Sequence, residues 1–136
     1  MKTKLGHLQI NIDPKNLAFY QDLFKFLDWQ VLYQDQNMLG VGDANNCGLW
    51  FVQGLKQVSN DYDGIGMNHV AIATANQAEV DTVVAYLKEH GVETLFETPR
   101  HRPEFSDGAG QTYYQVMFRS PDNILFEVVY TGPKEK

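Results

Sequence analysis

One order of elements, written twice, constrains this chain more than any single motif. Residues 5–12 alternate, with His7, Gln9 and Asn11 on one face and Leu8, Ile10 and Ile12 on the other. That is the period of a strand with one apolar face. The polar face suits a wet cavity as readily as open solvent. Asp13 can cap a helix, and Pro14 is tolerated at its first position. Leu17, Tyr20, Phe24 and Leu27 follow at helical spacing, widened by Phe19, Leu23 and Phe26. Asp28 and Trp29 end the helix. Gln30–Gln34, Met38–Gly42 and Gly48–Gln53 read as three short strands parted by polar turns at 35–37 and 43–46.

A polar connector at 59–66 holds two glycines and two aspartates, and then the series restarts. Residues 68–74 are strand-like, with His69 near the start. Asn76-Gln-Ala-Glu79 has capping-box spacing, and Val80, Val83, Val84 and Leu87 form a helical stripe that His90-Gly91 stops. Residues 94–97, 112–118 and 124–130 are the later strands, and a short charged tail starts at Gly132. The expectation is a single domain, 1–136, built from βαβββ modules at 4–58 and 67–131. Such modules could pair through their sheets and enclose a concave surface. His7 and His69 fall at equivalent places in the two series, 69 − 7 = 62 residues apart.

Composition narrows the function. A chain of 136 residues, 43% hydrophobic and 12% aromatic, can bury a core. Its 11 basic and 17 acidic residues give a formal charge of −6, which argues against a nucleic-acid role and against attraction to anionic lipid. Residues 1–13 lack the apolar stretch of a signal peptide. No apolar run approaches the roughly 18 residues of a membrane span. The single cysteine, Cys47, excludes an internal disulfide and reads as an inert buried thiol. A cytoplasmic location is expected.

The last strand carries the chemical clue. Pro121, Asp122 and Asn123 make a turn, and residues 124–130 are apolar except for Glu127. A buried carboxylate needs a cation, a metal or hydrogen-bond donors. Two candidates are His7 and His69. Two imidazoles and a carboxylate on one side of a metal leave positions open for water or substrate. The bland alternatives are histidines with ordinary hydrogen bonds and a Glu127 paired with Arg or Lys.

Phe118-Arg-Ser-Pro-Asp-Asn-Ile-Leu-Phe-Glu127 resembles the F-x-D-P-D-G-x-x-x-E signature of the vicinal oxygen chelate superfamily, which holds glyoxalase I, bleomycin- and fosfomycin-resistance proteins and extradiol dioxygenases. Asn123 stands for the usual Gly, which a left-handed turn accepts, and Ser120 for the first Asp. Gly6-His7 and Asn68-His69 resemble the family's ligand histidines. The stretch 113–118 is similar to a poorly characterised branch. The resemblance extends from His7 to Tyr130. It implies an α+β fold of two paired βαβββ modules forming a curved mixed sheet around a central cavity, helices outside. It also implies His7, His69 and Glu127 as ligands of one divalent metal ion (Fe, Zn, Mn or Ni). A small substrate would bring oxygens to that ion, which acts as a Lewis acid. A homodimer is common in the family.

The residues separate subfamilies. Glyoxalase I-like members take a fourth ligand from the last strand of the first module, where this chain has Leu49 or Trp50, so lactoylglutathione lyase activity is disfavoured. Extradiol dioxygenases carry a Tyr where Met117 stands and a His that 105–112 does not supply. Fosfomycin-resistance transferases share a Leu-Trp strand like Leu49-Trp50, but their potassium loop is not found. Pocket candidates are Gln9, Trp50, Arg100, His101, Tyr113 and Tyr114. Tyr113 and Tyr114 point to opposite faces of a strand, so at most one enters the cavity. The loop 98–111, with Arg100, His101, Arg102 and Glu104, has the length of a lid or binding loop. A different class stays open: a metal-free protein that sequesters a drug or other small molecule, as bleomycin-resistance relatives do.

Overall fold

A computed structural model describes residues 1–136, and two compact units divide the chain at Ser59 and Asn60. Each unit holds a four-stranded mixed sheet and one helix. In the first, β1 is His7–Ile12, α1 Leu17–Phe26, β2 Gln30–Gln34, β3 Met38–Gly42 and β4 Gly48–Gln53. In the second, β5 is His69–Ala73, α2 Gln77–Glu89, β6 Thr94–His101, β7 Gln111–Arg119 and β8 Leu125–Pro133. The strand orders are β1-β4-β3-β2 and β5-β8-β7-β6. In each, the first strand pairs parallel with the last, and the other pairings are antiparallel. The fold is therefore α+β with two βαβββ modules, as the repeated order of elements predicts. No helix is long and apolar enough to cross a membrane.

In the first module the apolar stripe of α1 supplies the core. Leu17, Tyr20, Leu23 and Phe24 are buried, with Ile10, Ile12, Leu39, Val41, Leu49 and Phe51. The Tyr20 ring stacks on Phe51 at 4.4 Å, and Phe24 approaches the same ring at 5.4 Å. Burying such a side chain is worth roughly 1.5–3 kcal/mol. Asp13 accepts the Lys15 N–H at the start of a 3-10 turn, Pro14–Asn16, that leads into α1. Asp28, at φ 59, ends the helix in the left-handed region. Cys47 is half-buried, not fully buried as expected.

In the second module α2 starts on a capping box. Asn76 Oδ1 accepts the Glu79 N–H at 2.9 Å, and Glu79 Oε2 accepts the Ala75 N–H at 2.8 Å. It ends on Gly91 at φ +68, with Val92 N–H donating to Leu87 O and Gly91 N–H to Lys88 O, a Schellman closure. Val80, Val83 and Leu87 are buried with Val70, Ile72, Val116, Phe118, Phe126 and Val128.

Two expectations need correction. Strand β6 does not stop at residue 97; it runs to His101, so the segment 98–111 is not one loop. Pairing shifts between Leu95 and Arg100, where Phe96 and Glu97 take φ 57 and 59. Thr98 staples this bulge: its hydroxyl donates to Leu95 O at 2.6 Å and accepts the Met117 N–H at 2.9 Å. Past β6 a 3-10 turn, Pro103–Phe105, leads toward β7. The tail also starts later, because β8 continues through Pro133.

Candidate functional site

The turn before β8 positions Glu127. Asn123 takes φ 58, the left-handed conformation its place in the turn requires. Ser120 Oγ accepts the N–H groups of Asp122 and Ile124, each at 3.2 Å, and Ser120 N–H donates to Ile124 O at 2.9 Å. Asn123 and Asn60 exchange side-chain to backbone bonds of 2.7 and 2.9 Å, tying the turn to the connector. Strand β8 then leaves with Glu127 paired to Met117 on one side and to Ala71 on the other. Glu127 is only 1% exposed.

Glu127 looks into a cavity of about 460 Å³ whose walls include His69, Phe96, Arg102, Phe105, Tyr113 and Gln115. The β6 bulge brings Phe96 there. Its two carboxylate oxygens have different surroundings. Oε2 lies 2.9 Å from His69 Nε2. Oε1 accepts from the Tyr113 hydroxyl and, at 2.8 Å, from Gln115 Nε2. Burial, then the bond to Glu127 and its charge, push the Tyr113 phenol well above its usual range, so it stays a donor.

The histidine's tautomer follows from its neighbours. Asn68 Nδ2 donates to Tyr62 O at 2.8 Å, a bond only the amide nitrogen can make. Asn68 Oδ1 therefore faces His69 Nδ1, at 2.7 Å, and Nδ1 must carry the proton. A neutral His69 then aims a bare Nε2 at Glu127 Oε2. Two acceptors at 2.9 Å repel, so this pair calls for a positive charge, either a second proton on the ring or a metal ion. Atoms bonded to one ion at about 2.0–2.1 Å stand roughly 3 Å apart, and a ligand His commonly donates its other nitrogen as His69 does. The pair fits a divalent ion.

The other sequence candidates divide by face. Of the tyrosines, Tyr113 enters the cavity. Tyr114 turns to the opposite face and donates to Asp81 of α2 at 2.6 Å, and burial with that aspartate pushes its phenol up to about 12. His101 is on the Tyr114 side too: its Nδ1 lies 2.5 Å from Thr112 Oγ1 and its ring 4.7 Å from Tyr114. Burial and then Lys134 lower its pKa. Neither His101 nor Tyr114 lines this cavity, because the strand alternation carries them to the helix side. Arg100 reaches Glu97 at 3.4 Å and does not line it either.

His7, Gln9 and Trp50 are in the first module. His7 pairs with Gly48 and Gln9 with Trp50 across β1 and β4. In the second module Ala71, two residues past His69, pairs with Glu127. Trp50 thus holds the position that matches Glu127. Within neither module do three His, Cys, Asp or Glu side chains come together as a metal cluster.

Sequence reasoning missed Gln115 and Arg102. Gln115 shares its face of β7 with Tyr113 by simple alternation, so a polar residue there was a readable signal. Arg102 was read only as one charge in a loop. Its Nη1 donates to Gln115 Oε1 at 3.2 Å, its Nε to Glu104 at 2.5 Å, and its guanidinium lies 4.8 Å from the Phe105 ring centre.

Residues 4–128 match the family model described as the Glyoxalase/Bleomycin resistance protein/Dioxygenase superfamily. No curated protein matches significantly. Among solved structures, a candidate glyoxalase from Bacillus halodurans is 26% identical with a TM-score of 0.76, covering 93% of this chain and 94% of its own. The genomically encoded fosfomycin resistance protein FosX from Listeria monocytogenes, complexed with Mn(II) and sulfate, is 24% identical with a TM-score of 0.67, covering 97% and 93%. The lactoylglutathione lyase from Agrobacterium tumefaciens is 16% identical with a TM-score of 0.68, covering 96% and 95%. The last two likenesses bear on the fold alone.

Proposed function

The chain belongs to the Glyoxalase/Bleomycin resistance protein/Dioxygenase superfamily, and on that premise we propose that it is a metal-dependent enzyme acting on a small oxygen-bearing substrate. In this proposal a single divalent ion (Fe, Zn, Mn or Ni) is held by His69 and Glu127. His7, the equivalent residue of the first module, completes the set on the strength of the sequence resemblance. The supporting observation is the facing pair of acceptors, His69 Nε2 and Glu127 Oε2, at 2.9 Å. When bound, the ion supplies Lewis-acid polarisation of a substrate oxygen. The chain's own residues do the rest. Asn68 fixes the His69 ring, Tyr113 and Gln115 hold the carboxylate, and the half-exposed Phe96 and Phe105 offer apolar walls.

Lyase, isomerase, transferase and dioxygenase chemistry all fit this description. Lactoylglutathione lyase activity is disfavoured, because Trp50 occupies the place where a fourth ligand would stand. The aromatic walls favour one second reading, a metal-free small-molecule binder.

Elemental analysis of purified wild type and of Glu127→Ala and His69→Ala separates the two. The expected result is one divalent ion per chain, lost in both variants. A wild type that holds no metal and cannot be loaded would overturn the enzyme proposal and leave the binder.

A further inference from the structure

Glu127 has a second oxygen, and its surroundings are over-determined. Oε1 takes one hydrogen bond from Tyr113 and another from Gln115 Nε2 at 2.8 Å. Gln115 is 3% exposed, so its amide cannot turn to water. Nor can it flip in place, because its Oε1 accepts from Arg102 Nη1 at 3.2 Å, and a flip would set two donors against each other. Arg102 is itself held at three points. Its Nε donates to Glu104, its guanidinium covers Phe105, and its backbone N–H donates to Tyr113 O at 2.7 Å. Phe105 closes the circuit by standing edge-on against Tyr113, ring centres 5.5 Å apart.

A buried carboxylate needs its lone pairs met, and either oxygen would serve as well as the other. This network spends both of its cavity-side donors on Oε1. Oε2 is left to face the bare Nε2 of His69 at 2.9 Å.

We infer that Tyr113 and Gln115, the latter aligned by Arg102, are positioning residues that occupy Oε1 of Glu127 so that Oε2 alone is presented beside His69 Nε2. The inference rests on the metal reading above and adds how the carboxylate is delivered. Tyr113 and Gln115 touch the ligand, not the ion. Removing either donor frees the carboxylate to rotate, and the ion then has to order it on binding. Partners of this kind typically carry 10–100-fold in metal affinity.

The test uses Mn(II) as the probe, with the free-ion EPR signal giving the dissociation constant on folded protein and thermal unfolding followed separately without metal. Gln115→Leu is expected to weaken Mn(II) binding at least about tenfold, and Tyr113→Phe by a similar factor. Arg102→Met should weaken it several-fold, since it only loosens Gln115. The bound-ion spectrum should broaden in all three as the carboxylate samples more than one arrangement. If Gln115→Leu fails to fold, Tyr113→Phe and Arg102→Met still decide. Unchanged Mn(II) affinity and spectrum in folded variants, with only a lower melting temperature, would overturn the inference and leave these residues as plain satisfiers of a buried charge. A wild type that binds neither Mn(II) nor another divalent ion would instead remove the metal reading itself.

Discussion

The two modules share one register and differ in what they place at its centre. In the second, Glu127 faces Met117 across the β7–β8 ladder, with Gln115 one step further along the same face. In the first, Trp50 faces Gly40, and Met38 stands where Gln115 does. An indole, a glycine and a thioether thus replace a carboxylate, a methionine and an amide. Gly40 has a steric reason to be glycine: a Cβ there would meet Trp50 Cζ3 at 2.5 Å. A carboxylate can occupy the middle of a sheet only where neighbouring side chains bring donors. In the second module Tyr113 and Gln115 of β7 do so, whereas in the first the β3 neighbours Met38 and Gly40 bring none and Gln9 of β1 lies beside Trp50. Exchanging the centres should therefore fail in one direction. Trp50→Glu removes a half-buried indole, opens space over Gly40 and leaves a carboxylate without donors on β3, at a cost of about 3 kcal/mol. Glu127→Gln keeps an acceptor for Tyr113 and Gln115 and should change stability by less than about 1 kcal/mol, while metal content falls. Urea unfolding of both variants, with elemental analysis of the second, checks the contrast. A Trp50→Glu protein as stable as wild type would mean that local donors do not decide which centre a module tolerates.

The helices are attached differently as well. Ring stacking of Tyr20 on Phe51 joins α1 to its sheet. The bond from Tyr114 to Asp81 helps join α2 to the other. The second attachment is a hydrogen bond whose donor titrates. The Tyr114 phenol, pushed up to about 12 in the fold, has an ordinary value of about 10 when unfolded. Between those values the folded chain still binds a proton that the unfolded chain has released. Stability is therefore full below about pH 10 and falls as pH rises toward 12. Tyr114→Phe should lower stability at neutral pH by about 1 kcal/mol and flatten the alkaline fall. Thermal melts from pH 8 to 11.5 read both. An unchanged alkaline slope in the variant would assign the loss to other groups.

What could be read from the chain follows from how local each signal is. Strands β2, β3 and β4 carry their patterns within five or six residues and match the expected limits. Asn76 and Asn123 act within their own turns, and both do what their residue type predicts. Glu127 announces itself as the one charge in an apolar run. The failures are non-local. The strand read at 94–97 runs on to His101, because Thr98 bonds across to Met117 and supports the bulge. His101 looked like a pocket residue because the register of β6 after that bulge cannot be counted from the sequence. Arg102 gained its role from a turn that sets it against Gln115, thirteen residues away. Alternation on β7 parts Tyr113 from Tyr114, and the same alternation sets the amide of Gln115 on the Tyr113 face.

The smallest contrast lies at the helix ends, where the two modules solve one problem with different residues. Both helices close through a left-handed residue, Asp28 at φ 59 and Gly91 at φ +68. Trp29 N–H reaches back to Phe24 O at 3.0 Å as Val92 N–H reaches Leu87 O at 2.9 Å. A side chain in that conformation costs about 1 kcal/mol, and glycine avoids it. Gly91→Ala should therefore destabilise by about 1 kcal/mol, and Asp28→Gly should stabilise by about 0.5 kcal/mol after the extra chain entropy of glycine is subtracted. Chemical denaturation with a shared slope resolves differences of this size. Opposite signs would show that the first module carries strain at Asp28 that the second has shed. A loss from Asp28→Gly would mean that the aspartate side chain holds the turn more firmly than its backbone strains it.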